Sequence, residues 1–129
     1  MLAILLAAAT ATLPAPVSGD FDRDGKTDVA ALVAADGGYD LVVRPGGAGR
    51  APMTVTAIKA ENAMRMFLGK ADPGVEATAC GKGAGRRDAP CPRKSVTLSG
   101  DVLDFGTREA SRAVALWTGE RFEVVWLED

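Results

Sequence analysis

The residues best suited to chemistry are four aspartates in one short stretch. They occupy positions one, three, five and nine of a nine-residue segment with glycine at position six: Asp20, Asp22, Asp24 and Asp28. Alternate residues of a tightly curled loop turn their side chains toward a common centre, and Gly25 permits the sharp turn. The backbone carbonyl of Lys26, at position seven, can point inward as well. A hard cation that takes six to eight oxygens at about 2.3–2.6 Å, such as Ca²⁺, fits this donor set.

The residues after the loop distinguish it from an EF-hand. Position twelve is Ala31 rather than a bidentate glutamate, and the turn Asp36-Gly37-Gly38 follows too soon for a long helix. Between loop and turn lies the short apolar run Val29–Ala34, which is typical of a buried strand. The segment therefore predicts a calcium loop followed by two strands.

The residues Ser18-Gly19-Asp20-Phe21-Asp22-Arg23-Asp24-Gly25-Lys26-Thr27-Asp28-Val29-Ala30 resemble the calcium loop of FG-GAP or VCBS-type repeats, the blade repeats of integrin-like β-propellers. The resemblance covers residues 18–44, about one repeat. It implies that Ca²⁺ is held by Asp20, Asp22, Asp24, the Lys26 carbonyl and Asp28. Such propellers use several repeats, and this sequence has no second copy of the acidic loop. We therefore do not expect a complete propeller.

The first residues favour export. Residues 1–12 form a short, mainly apolar segment without charged side chains, too short for a bilayer span of about 20 residues. Its end offers a small-residue cleavage site at Ala9-Thr10-Ala11 or at Leu13-Pro14-Ala15. Without a Lys or Arg, the segment also fits an Ala-rich first strand or a disordered tail. We predict a signal peptide over residues 1–15, a single β-rich calcium-binding domain over 16–129, and a periplasmic or secreted location.

Composition narrows the class of protein. The 129 residues, 47% of them hydrophobic, correspond to one globular domain. A net charge of −2 predicts neither nucleic-acid binding nor strong attraction to a membrane surface. We expect a monomer without a membrane span.

The two cysteines, Cys80 and Cys91, are expected to form one disulfide around residues 81–90 if the chain is exported. Two thiols at this spacing and no histidine do not make a zinc site. Basic residues lie in and beside this loop: Lys82, Arg86, Arg87, Arg93 and Lys94. They either contact an anionic partner or are simply solvated.

Turn signals predict a small, mainly β domain. Val29–Ala34 and Tyr39–Arg44 should pair as a hairpin, and Met53–Ile58 alternates as a half-buried strand does. Glu61–Leu68 fits either a short helix or a strand, and Gly69–Arg93 is typical of a long loop. Four short strands are predicted to form an antiparallel meander at the end of the chain: Ser95–Leu98, Val102–Phe105, Ala113–Trp117 and Phe122–Leu127.

Catalysis has little support in the sequence. The absence of histidine excludes Ser–His and Cys–His nucleophiles, and the carboxylates outside the acidic loop are scattered. Trp117 and Trp126 fit packing of the last hairpin or an aromatic platform for sugar or peptide. We expect a non-enzymatic module with a structural Ca²⁺ that binds a protein or glycan. The alternatives are an enzyme or enzyme inhibitor that uses the basic disulfide loop, and a purely structural calcium-binding accessory protein.

Overall fold

The structure is a computed structural model that describes residues 12–85 and 88–128. Most of the predicted signal peptide, together with Arg86 and Arg87, lies outside the described residues. The described chain is mainly β, with one short helix, α1 (Ala60–Ala63), and a 3-10 turn at Cys80–Lys82. The strands are β1 (Val17–Gly19), β2 (Asp28–Ala35), β3 (Gly38–Arg44), β4 (Met53–Lys59), β5 (Met66–Lys70), β6 (Gly74–Ala77), β7 (Ser95–Leu98), β8 (Leu103–Thr107), β9 (Arg112–Trp117) and β10 (Phe122–Glu128).

These strands form antiparallel sheets. Sheet A has the order β1-β2-β3-β4, sheet B has the order β10-β9-β8-β5, and β6 pairs with β7 in a small sheet C. Within the described residues the sheets close into neither a barrel nor a propeller. The predicted class, a small mainly β domain with a short helix and no complete propeller, is confirmed.

Strand β9 explains how the three sheets are layered. Its residues Ala113 and Ala115 belong to a core cluster shared with sheet A, whereas Val114 belongs to a second cluster shared with β7 of sheet C. Successive side chains of a strand point to opposite faces, so the two clusters lie on opposite faces of sheet B. A strand covered on both faces is typically a continuous apolar run, as β9 is from Ala113 to Trp117.

The predicted hairpin is confirmed, with Ala35 paired to Gly38 across a turn in which Gly37 has a φ of 74°. The ambiguous segment 61–68 contains both alternatives. The helix α1 ends at Ala63, and Met66 then begins β5, which pairs with β8. The first half of the segment is therefore helical and the second half is a strand.

The prediction of an unbroken loop over residues 69–93 is wrong, because the segment contains β6 and the 3-10 turn. Strand β6 starts with a glycine and leaves Val75 69% exposed, so it lacks the alternation that marks a strand. Its partner β7 lies about twenty residues later, and this pairing removes β7 from the predicted meander. The meander consists of β8, β9 and β10. The predicted disulfide between Cys80 and Cys91 is confirmed.

Arg112 joins sheet C to sheet B. Its guanidinium donates to both carboxylate oxygens of Glu76 at 2.7 and 2.9 Å, and its Nε donates to Asp104 at 3.0 Å. The hydrogen bond from Arg112 lowers the pKa of Glu76, whereas burial raises the pKa of Asp104 against the opposing effect of the same arginine. The fork geometry of the guanidinium satisfies both carboxylates at once.

Arg112→Lys should therefore lower the free energy of unfolding by about 1–3 kcal/mol, because a single ammonium cannot keep the bidentate bond to Glu76 and the bond to Asp104. Urea denaturation measures this loss. Arg121→Lys is the matched control, since Arg121 is exposed in the last turn, and it should stay within about 0.5 kcal/mol of the parent chain. Equal losses in the two variants would contradict a joining role for Arg112.

Candidate metal centre

The acidic loop connects β1 to β2. Asp20 directly follows β1, Asp28 is the first residue of β2, and the two strands pair with Gly19 opposite Asp28. Strand pairing thus holds the two ends of the loop side by side. The chain turns sharply between them, with positive φ at Arg23 (62°) and at Gly25 (84°). The glycine at position six serves the turn that the sequence predicts for it.

Three aspartates converge inside this loop. Carboxylate oxygens of Asp20, Asp22 and Asp28 all lie within 4.8 Å of one another, and this group could hold a metal ion. Asp22 is 3% exposed and Asp28 is fully buried. The predicted ligands are therefore partly brought together: these three form one cluster, and Asp24 lies outside it.

Asp28 also accepts backbone hydrogen bonds, a role that its position in the acidic pattern does not predict. Its Oδ2 accepts hydrogen bonds from the backbone N–H groups of Phe21 (2.9 Å) and Asp22 (3.1 Å), and its Oδ1 accepts one from Gly46 (2.9 Å). Gly46 is required there, because a Cβ at this position would lie 2.1 Å from the carbonyl oxygen of Thr27. One buried carboxylate thus anchors the start of the acidic loop and the connection between β3 and β4.

The other loop carboxylates also accept backbone hydrogen bonds. Asp20 accepts from the N–H groups of Asp24 (3.1 Å) and Gly25 (3.0 Å), and Asp24 accepts from that of Lys26 (2.9 Å). These bonds curl the loop around its own side chains. Lys26 contributes its backbone N–H in this arrangement, and its carbonyl stays a predicted ligand.

Arg50, from the β3–β4 connection, is the cation nearest the cluster. Its Nη1 lies 2.6 Å from Oδ2 of Asp22 and 3.4 Å from Oδ2 of Asp24, and its guanidinium lies 6.0 Å from the ring centre of Trp117. Arg50 stands in a Gly-rich turn more than twenty residues beyond the loop. No local signal in the sequence connects it to the aspartates.

The electrostatics of the site centre on Asp22. Burial, the hydrogen bond with Asp24 and the charge of Asp28 raise the pKa of Asp22 to about 6. The pKa of Asp24 is lowered, chiefly because its carboxylate accepts the hydrogen bond from the Lys26 N–H. The buried side of the loop therefore disfavours a negative charge on Asp22.

The loop is also tied to sheet B through the turn between β7 and β8. The backbone N–H of Asp20 donates to Oδ2 of Asp101 at 2.8 Å, and Nη2 of Arg23 donates to the carbonyl of Ser99 at 2.5 Å. Phe21 is buried in the core shared by sheets A and B. Because of these contacts, the candidate site is held by both sheets rather than by one hairpin.

The predicted basic cluster is only partly described. Arg93 forms an ion pair with Glu123 at 3.5 Å, and Lys82 and Lys94 are exposed. Trp117 packs against Phe122 with ring centres 5.0 Å apart, and Trp126 contacts Phe105 at 6.3 Å while staying 46% exposed. Trp117 therefore packs within the last hairpin, whereas Trp126 packs against β8 and also reaches the surface.

Comparisons with protein families, curated proteins and solved structures found no match for this chain. Among the described residues, no helix has the length and apolar character needed to cross a membrane. The disulfide is compatible with an extracellular or periplasmic protein.

Asp28→Asn should destabilise the domain by about 2–4 kcal/mol whether or not a metal is added, because the amide offers one acceptor oxygen where three backbone N–H groups converge. Urea denaturation in chelator measures this loss. Asp36→Asn, in the exposed hairpin turn, removes the same charge and should change the free energy of unfolding by less than about 0.5 kcal/mol. A loss confined to buffer with metal would show that Asp28 is a ligand without the anchoring role.

Proposed function

We propose that this chain is a small exported β domain that binds Ca²⁺ as a structural ion and acts as a non-enzymatic binding module for a protein or glycan. The observation that carries the calcium site is the convergence of Asp20, Asp22 and Asp28 within 4.8 Å, with two of the three carboxylates buried. Such a group is costly to assemble without a compensating positive charge.

Charge compensation supports a divalent ion here. Asp28 is stabilised by three backbone N–H groups, whereas Asp22 has a half-exposed arginine as its partner. Arg50 supplies one positive charge to two carboxylates, Asp22 and Asp24. A divalent cation within the cluster would offset more of the negative charge than Arg50 alone does.

The chemistry of the donors favours Ca²⁺ among divalent ions. All donors are oxygens, the sequence has no histidine, and both cysteines are in the disulfide. Ca²⁺ accepts irregular sets of carboxylate and carbonyl oxygens, whereas Mg²⁺ requires near-octahedral geometry and retains water. The resemblance to FG-GAP or VCBS-type loops supports the same ion, with Asp24 and the Lys26 carbonyl as further proposed ligands.

A structural role follows from what the loop connects. The loop joins β1 to β2, Asp28 holds the β3–β4 connection, and Asp20 bonds to Asp101 in the β7–β8 turn. An ion bound only by the folded chain stabilises that state by mass action. Extracellular modules bind Ca²⁺ at about 10⁻⁴–10⁻³ M, which suits a permanent stabiliser of an exported protein.

A binding role rather than catalysis is supported by the remaining charged groups. The chain lacks histidine, and several carboxylates outside the loop are engaged in ion pairs, including Glu76 and Asp104 with Arg112 and Glu123 with Arg93. Carboxylates held in this way support the fold instead of offering free acid and base groups. The apolar first residues and the disulfide support export.

The calcium proposal predicts that the thermal unfolding midpoint of the oxidised chain is higher in Ca²⁺ than in Mg²⁺ or in chelator. At a hundredfold excess over the dissociation constant, the stabilisation would be about 2.7 kcal/mol. Asp20→Asn should remove most of this increase, and Asp36→Asn should preserve it. Equal midpoints in Ca²⁺, Mg²⁺ and chelator would count against the site.

Arg50→Met should strengthen Ca²⁺ binding about two- to fivefold, because the ion no longer competes with the guanidinium for Asp22 and a half-exposed ion pair contributes about 0.5–1 kcal/mol. Calorimetric titration at low salt measures this change. Arg44→Met, on an exposed position at the end of β3, tests the general effect of removing a positive charge. An equal gain in both variants would assign the effect to net charge and not to competition at Asp22.

A further inference from the structure

We propose that the outer edge of β10 is a docking site for an extended peptide segment of a partner protein, which adds to sheet B as a further strand beside Val124. This inference deepens the binding role proposed above and rests on it. It names the surface as the edge of β10, the partner as an extended peptide segment, and the mode of recognition as strand addition.

The pairing of β10 with β9 determines which backbone groups face outward. Strand β10 lies at one edge of sheet B, and the N–H of Thr118 donates to the carbonyl of Arg121 at 2.9 Å in the turn before it. Hydrogen-bonded and non-hydrogen-bonded pairs alternate along an antiparallel ladder. Counting from this pair, Phe122, Val124 and Trp126 occupy the non-hydrogen-bonded positions, and their N–H and C=O groups point away from β9.

One observed bond confirms this direction. The outward carbonyl of Trp126 accepts a hydrogen bond from the N–H of Ala79 at 2.9 Å, where the chain leaves β6. Within the described part of the chain, no residue gives the N–H or C=O of Val124 a hydrogen-bond partner. The edge of β10 is thus paired at one residue and open at the next outward-facing one.

A cleft of about 390 Å³ lies beside this open position. Ala79, Cys80, Pro92 and Arg93 line one side, and Val124 and Trp126 line the other. The disulfide fixes the first of these sides, since it joins the 3-10 turn to the segment before β7. The cleft therefore offers an apolar pocket directly beside unpaired backbone groups.

This combination favours an extended peptide as the occupant. Unpaired edge groups are a template for another strand, and recognition by strand addition combines backbone hydrogen bonds with pockets for alternate side chains. A purely apolar molecule would fill the cleft and leave the Val124 groups unpaired, which is unfavourable once water is excluded. The partner segment should therefore be extended and carry an apolar side chain for the cleft.

Charge further defines the partner. Arg93 and its ion-pair partner Glu123 both border the cleft, Lys82 lies in the disulfide loop and Lys94 follows it, and both lysines are exposed. The two lysines favour acidic residues flanking the apolar one. A second copy of this chain fits poorly, because antiparallel pairing of two β10 strands centred on Val124 would bring Glu128 of one copy beside Glu120 in the β9–β10 turn of the other.

The test begins with a displayed library of random nine-residue peptides, selected on the oxidised chain in Ca²⁺. Selected peptides are measured by fluorescence anisotropy against the parent chain, Val124→Pro and Val124→Thr. Proline removes the outward N–H without breaking a bond to β9, so it should preserve the fold and weaken binding about tenfold or more. Threonine keeps the N–H and changes only the side chain that lines the cleft, so it should retain most of the binding that Val124→Pro loses.

Two readouts do not depend on the folding of Val124→Pro. The amide proton of Val124 should become protected from exchange when a selected peptide binds. Methylation of the peptide backbone at residues that face β10 should abolish binding, whereas methylation at the alternate residues should be tolerated.

Several results would overturn the proposal. The first is a failure to select any peptide, and the second is equal binding of the peptide to the parent chain and to a folded Val124→Pro variant. The third is equal tolerance of both methylation patterns, because that result would mean that the cleft takes only apolar groups. A concentration-dependent dimer that protects the Val124 amide would assign the edge to a second copy. The thermal midpoint in Ca²⁺ and in chelator is recorded on the same samples. Peptide binding without a calcium shift would refute the calcium site alone, and a calcium shift without peptide binding would refute the docking edge alone.

Discussion

The buried carboxylate of Asp28 is the constraint on which the described site depends. It accepts three backbone N–H groups from two separate segments, the start of the acidic loop and the β3–β4 connection. Burying a carboxylate is costly unless partners such as these donors satisfy its oxygens. By fixing Gly46, Asp28 also determines the course of the connection that brings Arg50 to Asp22. The position of the nearest cation thus follows from a backbone requirement of the loop.

Sheet B is the central layer on which the rest of the fold depends. It is covered by sheet A on one face and by β7 on the other, so its strands supply residues to both core clusters. Sheet C is too small to be stable alone and is attached to this layer through Arg112 and through the bond between Ala79 and Trp126. The same attachment sets the disulfide loop beside the edge of β10 and so forms the cleft there.

The parts of the structure that could be predicted are those with local causes. The acidic loop, the Asp36-Gly37 turn and the alternating strands are specified by neighbouring residues, and the single pair of cysteines left one disulfide to form. Strand β6 exists through its pairing with β7, and Arg50 reaches Asp22 across 28 positions of sequence. Contacts of this kind leave no periodic signal, so the anchoring role of Asp28, the role of Arg50 and the layering of the sheets are visible only in the three-dimensional structure.

The candidate metal centre and the edge of β10 are distinct sites joined by direct contacts. Asp22 pairs with Arg50, the guanidinium of Arg50 lies near Trp117, and Trp117 packs against Phe122 at the start of β10. A cation that binds Asp22 in place of Arg50 would release the guanidinium of Arg50, whereas Trp117 and Phe122 would stay packed against each other. Any effect of the ion on peptide affinity must be matched by an equal effect of the peptide on ion affinity, since coupling between two binding sites is reciprocal. Arg50 offers one route for such coupling, because it pairs with Asp22 of the acidic loop and lies near Trp117 of β9.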